Sequence, residues 1–206
     1  MFIRRYTNFW DGLFRPSKTH ILGSGVVKVL TNLVANGNFV NTTGWSSYVS
    51  NNSASSNTLT NTATGVDRFP SLSQALAAPT IGRKYALTVR VRVTNSNATS
   101  ISYRYGLAAS VVLQASPVAN TWYQKTIIIT CDNTYATLAI YHIYATNAAA
   151  NGKVMEVQYV SCVDLTAAFG AGNEPTQEEY AAWINTQSNS WFDTTAQYLC
   201  NTNQWF

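Results

Sequence analysis

Residues Asp164 to Ile184 read DLTAAFGAGNEPTQEEYAAWI, which puts two glycines, an Asn-Glu-Pro turn and a run of carboxylates into one short segment. Glycines ahead of a helix can cradle a phosphate. Gly170 and Gly172, however, lack the remaining glycine of a dinucleotide fingerprint and the Gly-Lys-Ser/Thr ending of a P-loop. Glu174, Glu178 and Glu179 would also repel a phosphate at that helix start. Hydrolysis by paired acids needs two carboxylates facing each other across a cleft, and Glu178 and Glu179 are sequence neighbours. Asp67, Asp132 and Glu156 are isolated acids of the kind that satisfy local backbone donors. His20 and His142 are the only histidines and form no H-x-H or H-E-x-x-H pattern. A nucleophile set would need His142 beside Cys131 or Cys162, which read more simply as buried structural residues. The expectation is a protein without catalysis, cofactor or metal.

Binding is the chemistry that remains. Sugar-binding sandwiches offer exposed aromatic faces with polar neighbours, and Trp45, Trp122 and Tyr141 are candidates for that role. Tyr103 and Tyr105 alternate with the apolar face of their strand and belong to the core instead. Arg90, Arg92 and Arg104 give a basic sheet face. They could meet phosphates, but no nucleic-acid reader motif accompanies them and the C-terminal part is acidic, so nucleic acid is not the expected partner. Near the N-terminus, Arg4, Arg5, Phe9, Trp10, Phe14 and Arg15 mix aromatic and basic side chains in a pattern suited to docking on a partner.

The elements that would carry these residues are strands. Tyr85, Leu87, Val89, Val91 and Val93 alternate with Arg90 and Arg92, and Ile101, Tyr103 and Tyr105 alternate with Arg104. Further strands are predicted at 26–30, 122–130, 137–144 and 154–163, joined by Asn-, Ser- and Thr-rich turns such as Asn36-Gly37. The seven or eight strands predict an all-β fold, a β-sandwich of jelly-roll type. Thr176 and Glu179 form a capping-box pattern, with Tyr180, Trp183 and Ile184 on one face of a short helix. The chain therefore divides into an extended N-terminal arm (1–30), a sandwich (31–163), and a turn, short helix and extension packing on it (164–206).

Only 11% of the 206 residues are charged, while 46% are hydrophobic and 13% aromatic, so a sizeable core is expected. The net charge of +4 is unevenly spread. Residues 1–30 carry a net +4, residues 31–153 a net +6, and from Val154 onward six acids stand without a Lys or Arg. Basic front and acidic tail can pair within one molecule or between subunits. Cys131, Cys162 and Cys200 are too widely spaced for a zinc site or disulfide framework. MFIRRYTNFWDGLF has no apolar stretch of signal-peptide length, and no segment approaches the ~20 apolar residues of a membrane span. Folding in a cytoplasm, with no membrane partner, is the expectation.

Two pieces resemble known families. Asn32–Phe39 (NLVANGNF) followed by Gly44-Trp45, with Asn120–Gln124 (NTWYQ) later, resembles carbohydrate-binding-module-like jelly rolls. Met155-Glu156-Val157 keeps one acid where those modules often carry a pair. Asp164–Thr176 (DLTAAFGAGNEPT), followed by Trp191–Thr195 (WFDTT), is similar to a segment of tailed-bacteriophage virion proteins, where it closes a jelly roll and leads into a short helix. The resemblance implies a structural virion protein of capsid, neck or tail. It would be anchored through residues 1–30 and assembled with other virion proteins or with copies of itself, a trimer among the candidate states. The alternative is a virion adhesion module that binds a host-surface glycan.

Overall fold

In the computed structural model, residues 27–95 and 97–199 are described. Of the two units into which the chain divides, the larger spans Lys28–Tyr198 and is the one treated below. The docking candidates Arg4, Arg5, Phe9, Trp10, Phe14 and Arg15, together with His20 and Cys200, lie outside the described residues.

Alternation of apolar and polar residues generates a set of short strands. These are β1 (Val27–Thr31), β2 (Ser46–Tyr48), β3 (Ser50–Ser55), β4 (Thr58–Ala63), β5 (Ser71–Ala75), β6 (Lys84–Val93), β7 (Ser100–Arg104) and β8 (Val111–Ala115). β9 (Tyr123–Thr130), β10 (Thr137–Ile143), helix α1 (Asn147–Ala150), β11 (Val154–Asp164), helices α2 (Leu165–Phe169) and α3 (Gln177–Ile184), and β12 (Thr195–Leu199) follow. β1 begins inside the range expected for an arm, and its Leu30 is fully buried.

Two five-stranded sheets, β3-β4-β11-β6-β9 and β2-β5-β10-β7-β8, stack face to face, while β1 and β12 form a separate two-stranded sheet. The registers within both five-stranded sheets are antiparallel throughout. From β4 to β7 the chain changes sheet at every strand, and from β8 to β11 it does so again. The orders 4-11-6-9 and 5-10-7-8 that result are those of a jelly roll. β6 and β7 therefore belong to opposite sheets, which splits the expected basic face. Arg90 and Arg92 project from one outer surface of the sandwich and Arg104 from the other. Strand alternation reports which residues face outward but not from which sheet.

The core between the sheets holds Leu59, Leu72, Val89, Val91, Tyr103, Tyr105, Ile140 and Val157 among others. Across it runs a polar network. His142 of β10 is fully buried; its Nε2 lies 2.8 Å from Asn61 Oδ1 of β4, and its Nδ1 lies 3.0 Å from the Tyr144 hydroxyl. Asn61 Nδ2 donates to Ser50 Oγ and Asn52 Oδ1, which leaves its oxygen to accept from His142 Nε2–H, so the Tyr144 hydroxyl donates to Nδ1.

Burial holds His142 neutral, with its pKa lowered to about 3. The unfolded imidazole titrates near 6.5, so between these values the unfolded chain binds one more proton and acid favours unfolding. Stability is expected to fall by about 2 kcal/mol between pH 7 and pH 5 from this residue. Urea midpoints at the two pH values check this. The substitution His142→Gln should flatten the pH slope whatever it does to the level.

Candidate functional site

The outer face of the β2-β5-β10-β7-β8 sheet combines small residues with tyrosines. Strand register aligns Tyr48, Ser71, Tyr141, Ser102 and Val112 in one row across the five strands, and Ser46, Ser73, Ala139 and Arg104 in the next. With strands ~4.8 Å apart, Tyr48 and Tyr141 stand ~10 Å apart on either side of Ser71. Ala139 and Ser102 point away from the core, yet are only 2% and 1% exposed. Larger side chains therefore lie down over them. The neighbours able to do so are Arg104, Tyr141 and Tyr135, the last entering from the turn before β10.

These three residues form one group. The Arg104 guanidinium sits 3.8 Å from the centroid of the Tyr135 ring, a close cation–π stack. Arg104 Nε donates to the Leu107 carbonyl at 3.2 Å, which fixes the orientation of the fork. Burial raises the Tyr141 pKa, the Tyr135 hydroxyl adds to the rise, and Arg104 opposes it, so both partners interact with the Tyr141 phenol. At the far end of the row, Tyr48 is exposed and its hydroxyl donates to Asp67 Oδ2 at 3.3 Å. Half-buried, mutually braced tyrosines above a serine and alanine floor present flat apolar rings beside hydroxyl and guanidinium donors. That combination recognises a ligand with apolar faces and hydroxyl edges.

The other candidates are placed elsewhere. Trp45, expected as an exposed platform, is buried in the core, with its ring 5.0 Å from that of Phe39 and its Nε1 donating to the Asn36 carbonyl. Burying the indole beneath the Asn36-Gly37 turn satisfies both its area and its one donor. Trp122 lies half-buried on the opposite outer surface, with the Arg90 and Arg92 guanidinium carbons 5.0 and 4.6 Å from its ring centroid. Arg92 is ion-paired with Glu156. Trp45, Trp122 and Tyr141 are therefore not brought together, and Tyr141 alone belongs to the tyrosine face. Tyr103 and Tyr105 are buried, as the alternation predicts.

The residues of the opening segment are turned inward. Asp164 caps α2 through Ala167 N and pairs with Arg83 at 2.9 Å. Thr166 Oγ1 accepts from Lys84 N and donates to Glu174 Oε1 at 2.6 Å. Glu174 Oε2 accepts from Gly172 N and from Lys84 Nζ. The Thr166 hydroxyl is the first cause that holds the Glu174 carboxyl at about 2, assisted by its other donors. Thr176 and Glu179 complete the capping box of α3. The segment is a latch that fastens the C-terminal helices to the start of β6, and it offers neither a phosphate cradle nor an acid pair. The three ion pairs among the described residues all join the basic middle of the chain to its acidic C-terminal part within one molecule.

Among the described residues, no cluster of three or more His, Cys, Asp or Glu side chains is placed to hold a metal ion. Cys131 and Cys162 are buried free thiols, and burial pushes the Cys162 thiol up to about 12. No helix among the described residues is long and apolar enough to cross a membrane.

No protein-family model matches the chain, and no match was found among curated proteins. Solved structures do show similarity. A family 4 carbohydrate-binding module aligns over 59% of this chain and 94% of its own, with 12% identity and a TM-score of 0.45. A family 29 carbohydrate-binding module variant complexed with cellulohexaose aligns over 66% of this chain and 92% of its own, with 8% identity and a TM-score of 0.46. The enzymatically active domain of tailspike protein 4 from bacteriophage CBA120 aligns over 64% of this chain but 21% of its own, with 16% identity and a TM-score of 0.45. These are likenesses of fold alone.

Tyr135 and the serine floor carried little signal in the sequence. Tyr135 precedes its strand and so falls outside any alternation, and serines at outward positions look like ordinary solvated residues. Only the cross-strand register, which couples residues far apart in the chain, makes them one surface.

Proposed function

We propose that the chain is a non-catalytic carbohydrate-binding module whose ligand lies across the outer face of the β2-β5-β10-β7-β8 sheet. The observation that carries this reading is the Tyr135–Arg104–Tyr141 group on the outer face that also holds Ala139 and Ser102, with Tyr48 one strand beyond Ser71. Sugar rings stack on aromatic faces through their C–H surfaces while their hydroxyls bond to neighbouring donors and acceptors.

A virion is the setting supported by the resemblance of Asp164–Thr176 to tailed-phage proteins. There the module would meet glycans of the host surface, and Arg4, Arg5, Phe9, Trp10, Phe14 and Arg15 would anchor it to other virion proteins. Locating the protein in purified particles by immunogold labelling tests that setting.

A glycan array probed with the purified chain tests the binding reading. Binding is expected, and Tyr141→Ala should weaken it roughly tenfold, the loss of a stacking contact worth ~1.4 kcal/mol, while the variant stays folded with a thermal midpoint lowered by no more than a few degrees. Trp45→Ala should instead unfold the protein. Failure to bind any glycan, or full binding by both Tyr141→Ala and Tyr48→Ala, would overturn the assignment.

A further inference from the structure

We infer that the ligand of the tyrosine face is an acidic glycan, and that Arg104 reads its carboxylate. The inference rests on the glycan-binding reading above and adds the class of sugar. Three observations support it.

The first is the charge balance of the face. Arg83, Lys84 and Arg92 each have a carboxylate partner, whereas no carboxylate of the described residues lies within ion-pair distance of Arg104. Asp132 and Asp67 have hydrogen-bond donors of their own. Asp132, in the turn beside the end of β7, accepts from Ala108 N at 2.7 Å, and Asp67 accepts from the Tyr48 hydroxyl.

The second is that Arg104 is held in place. Its flat face is stacked on Tyr135, its Nε is bound to the Leu107 carbonyl, and the Tyr141 phenol lies beside it. A long side chain ordinarily loses much rotamer freedom when it engages a ligand. Here that entropy is already spent in the free protein.

The third is the direction of the remaining donors. With Nε used on Leu107 and the Tyr141 phenol interacting with the guanidinium, the Nη groups carry the remaining N–H bonds, and no protein carbonyl or carboxylate is bonded to them among the described residues. A guanidinium fork whose Nη donors meet no carboxylate of the protein matches an incoming carboxylate better than it matches a single hydroxyl, because two parallel N–H···O bonds can form. A neutral sugar would leave the cation without compensation when the face is desolvated by binding.

The residue types across the face agree with this. Ser73 and Ser100, partly exposed, supply hydroxyls for the sugar's own hydroxyl groups, and the tyrosines supply rings. Arg104 is the one cation on these register rows. A uronate or sialate unit placed with its ring on Tyr141 or Tyr135 would direct its carboxylate to that fork.

The test uses the full chain in biolayer interferometry at physiological salt. Its probes are alginate, polygalacturonate and polysialic acid, each beside its own carboxyl-reduced form, together with a panel of neutral glucans and mannans. At least one acidic polymer should bind, and reduction of its carboxyls should cost roughly tenfold or more in affinity. Arg104→Gln should lose affinity for the acidic form, and the ratio of its affinities for the acidic and reduced forms should fall toward one, whatever it does to binding of the reduced form. Arg104→Lys should recover only part of the difference, since an ammonium lacks the fork. Should Arg104→Gln prove unstable, the reduced and unreduced polymers still decide the matter with the unaltered chain.

Equal binding to acidic and reduced forms, or binding confined to neutral glycans, would overturn the acidic preference and leave the glycan-binding reading standing. No binding to any probe and none on the glycan array would overturn the reading beneath it.

Discussion

Gly37→Ala should cost about 4 kcal/mol or more, a large fraction of the roughly 5–15 kcal/mol that keeps a domain folded. A Cβ at this position would lie 2.1 Å from the Val160 carbonyl oxygen and 3.1 Å from Trp191 Nε1. The obstructing atom is backbone, so no side-chain rotation relieves the clash. The same carbonyl accepts the Trp191 indole N–H at 2.9 Å, and Val160 N donates to Gly37 O at 2.9 Å, so displacement would break bonds on both sides. Val160 also lies in the irregular stretch of β11 between Gln158 and Ser161, where Tyr159 has φ of 52° and little freedom to shift. Gly152→Ala is the matched control. Its φ is 69° and nothing lies within 4 Å of the added carbon, so only the backbone cost of ~1 kcal/mol is expected. Urea unfolding followed by tryptophan fluorescence separates the two variants, and similar midpoints would refute the close-approach argument.

The second large effect is expected at Asn32, where replacement by Ala should cost on the order of 3 kcal/mol. The buried carboxamide joins three chain segments. Its Oδ1 accepts from Val34 N at 3.1 Å and Cys162 N at 3.0 Å, and its Nδ2 donates to the Phe192 carbonyl at 3.0 Å. Truncation leaves these backbone groups without partners in a site that water does not reach, and buried orphans carry the full desolvation penalty. Asn32→Asp keeps the two acceptor contacts but sets a carboxylate against the Phe192 carbonyl, and should be no more stable than Asn32→Ala. Hydrogen exchange at Cys162 and Val34 supplies a local readout. Protection retained there in Asn32→Ala would show that the carboxamide is dispensable.

Both positions fall in the NLVANGNF stretch, and both explain why that stretch could be recognised while its purpose could not. Asn36-Gly37 reads as a turn, and it is one, but the indispensability of the glycine comes from Val160, more than a hundred positions away. Phe39 and Trp45 read equally well as core or as platform until the turn is seen to fold them inward. By contrast, the strands at 85–93 and 101–105, the capping box of α3 and the structural role of the 164–176 segment follow from local rules of alternation, capping and glycine placement, and these were legible. The same holds for His142 as a buried structural residue, though not for its partner Asn61.

Membership of a sheet is a different kind of information. Arg90, Arg92 and Arg104 all alternate with apolar residues in the same way, and only the crossing between β6 and β7 sends Arg104 to the opposite surface. Glu174 illustrates the remaining gap. It sits in a turn that any reader would break at Asn173-Pro175, but its value comes from Thr166 and Lys84, which converge on it only in three dimensions.

The buried bridge between His142 and Asn61 has a consequence for how this sequence can change over time. Each side chain satisfies the other across the two sheets, so replacing either one by an apolar residue strands its partner in the core. A lineage could exchange the pair for hydrophobic residues of similar volume, but only by passing through an intermediate less stable than either end. The two positions are therefore expected to drift together or not at all. Their joint history, rather than the persistence of either residue, would be the trace this contact leaves among descendants of the chain.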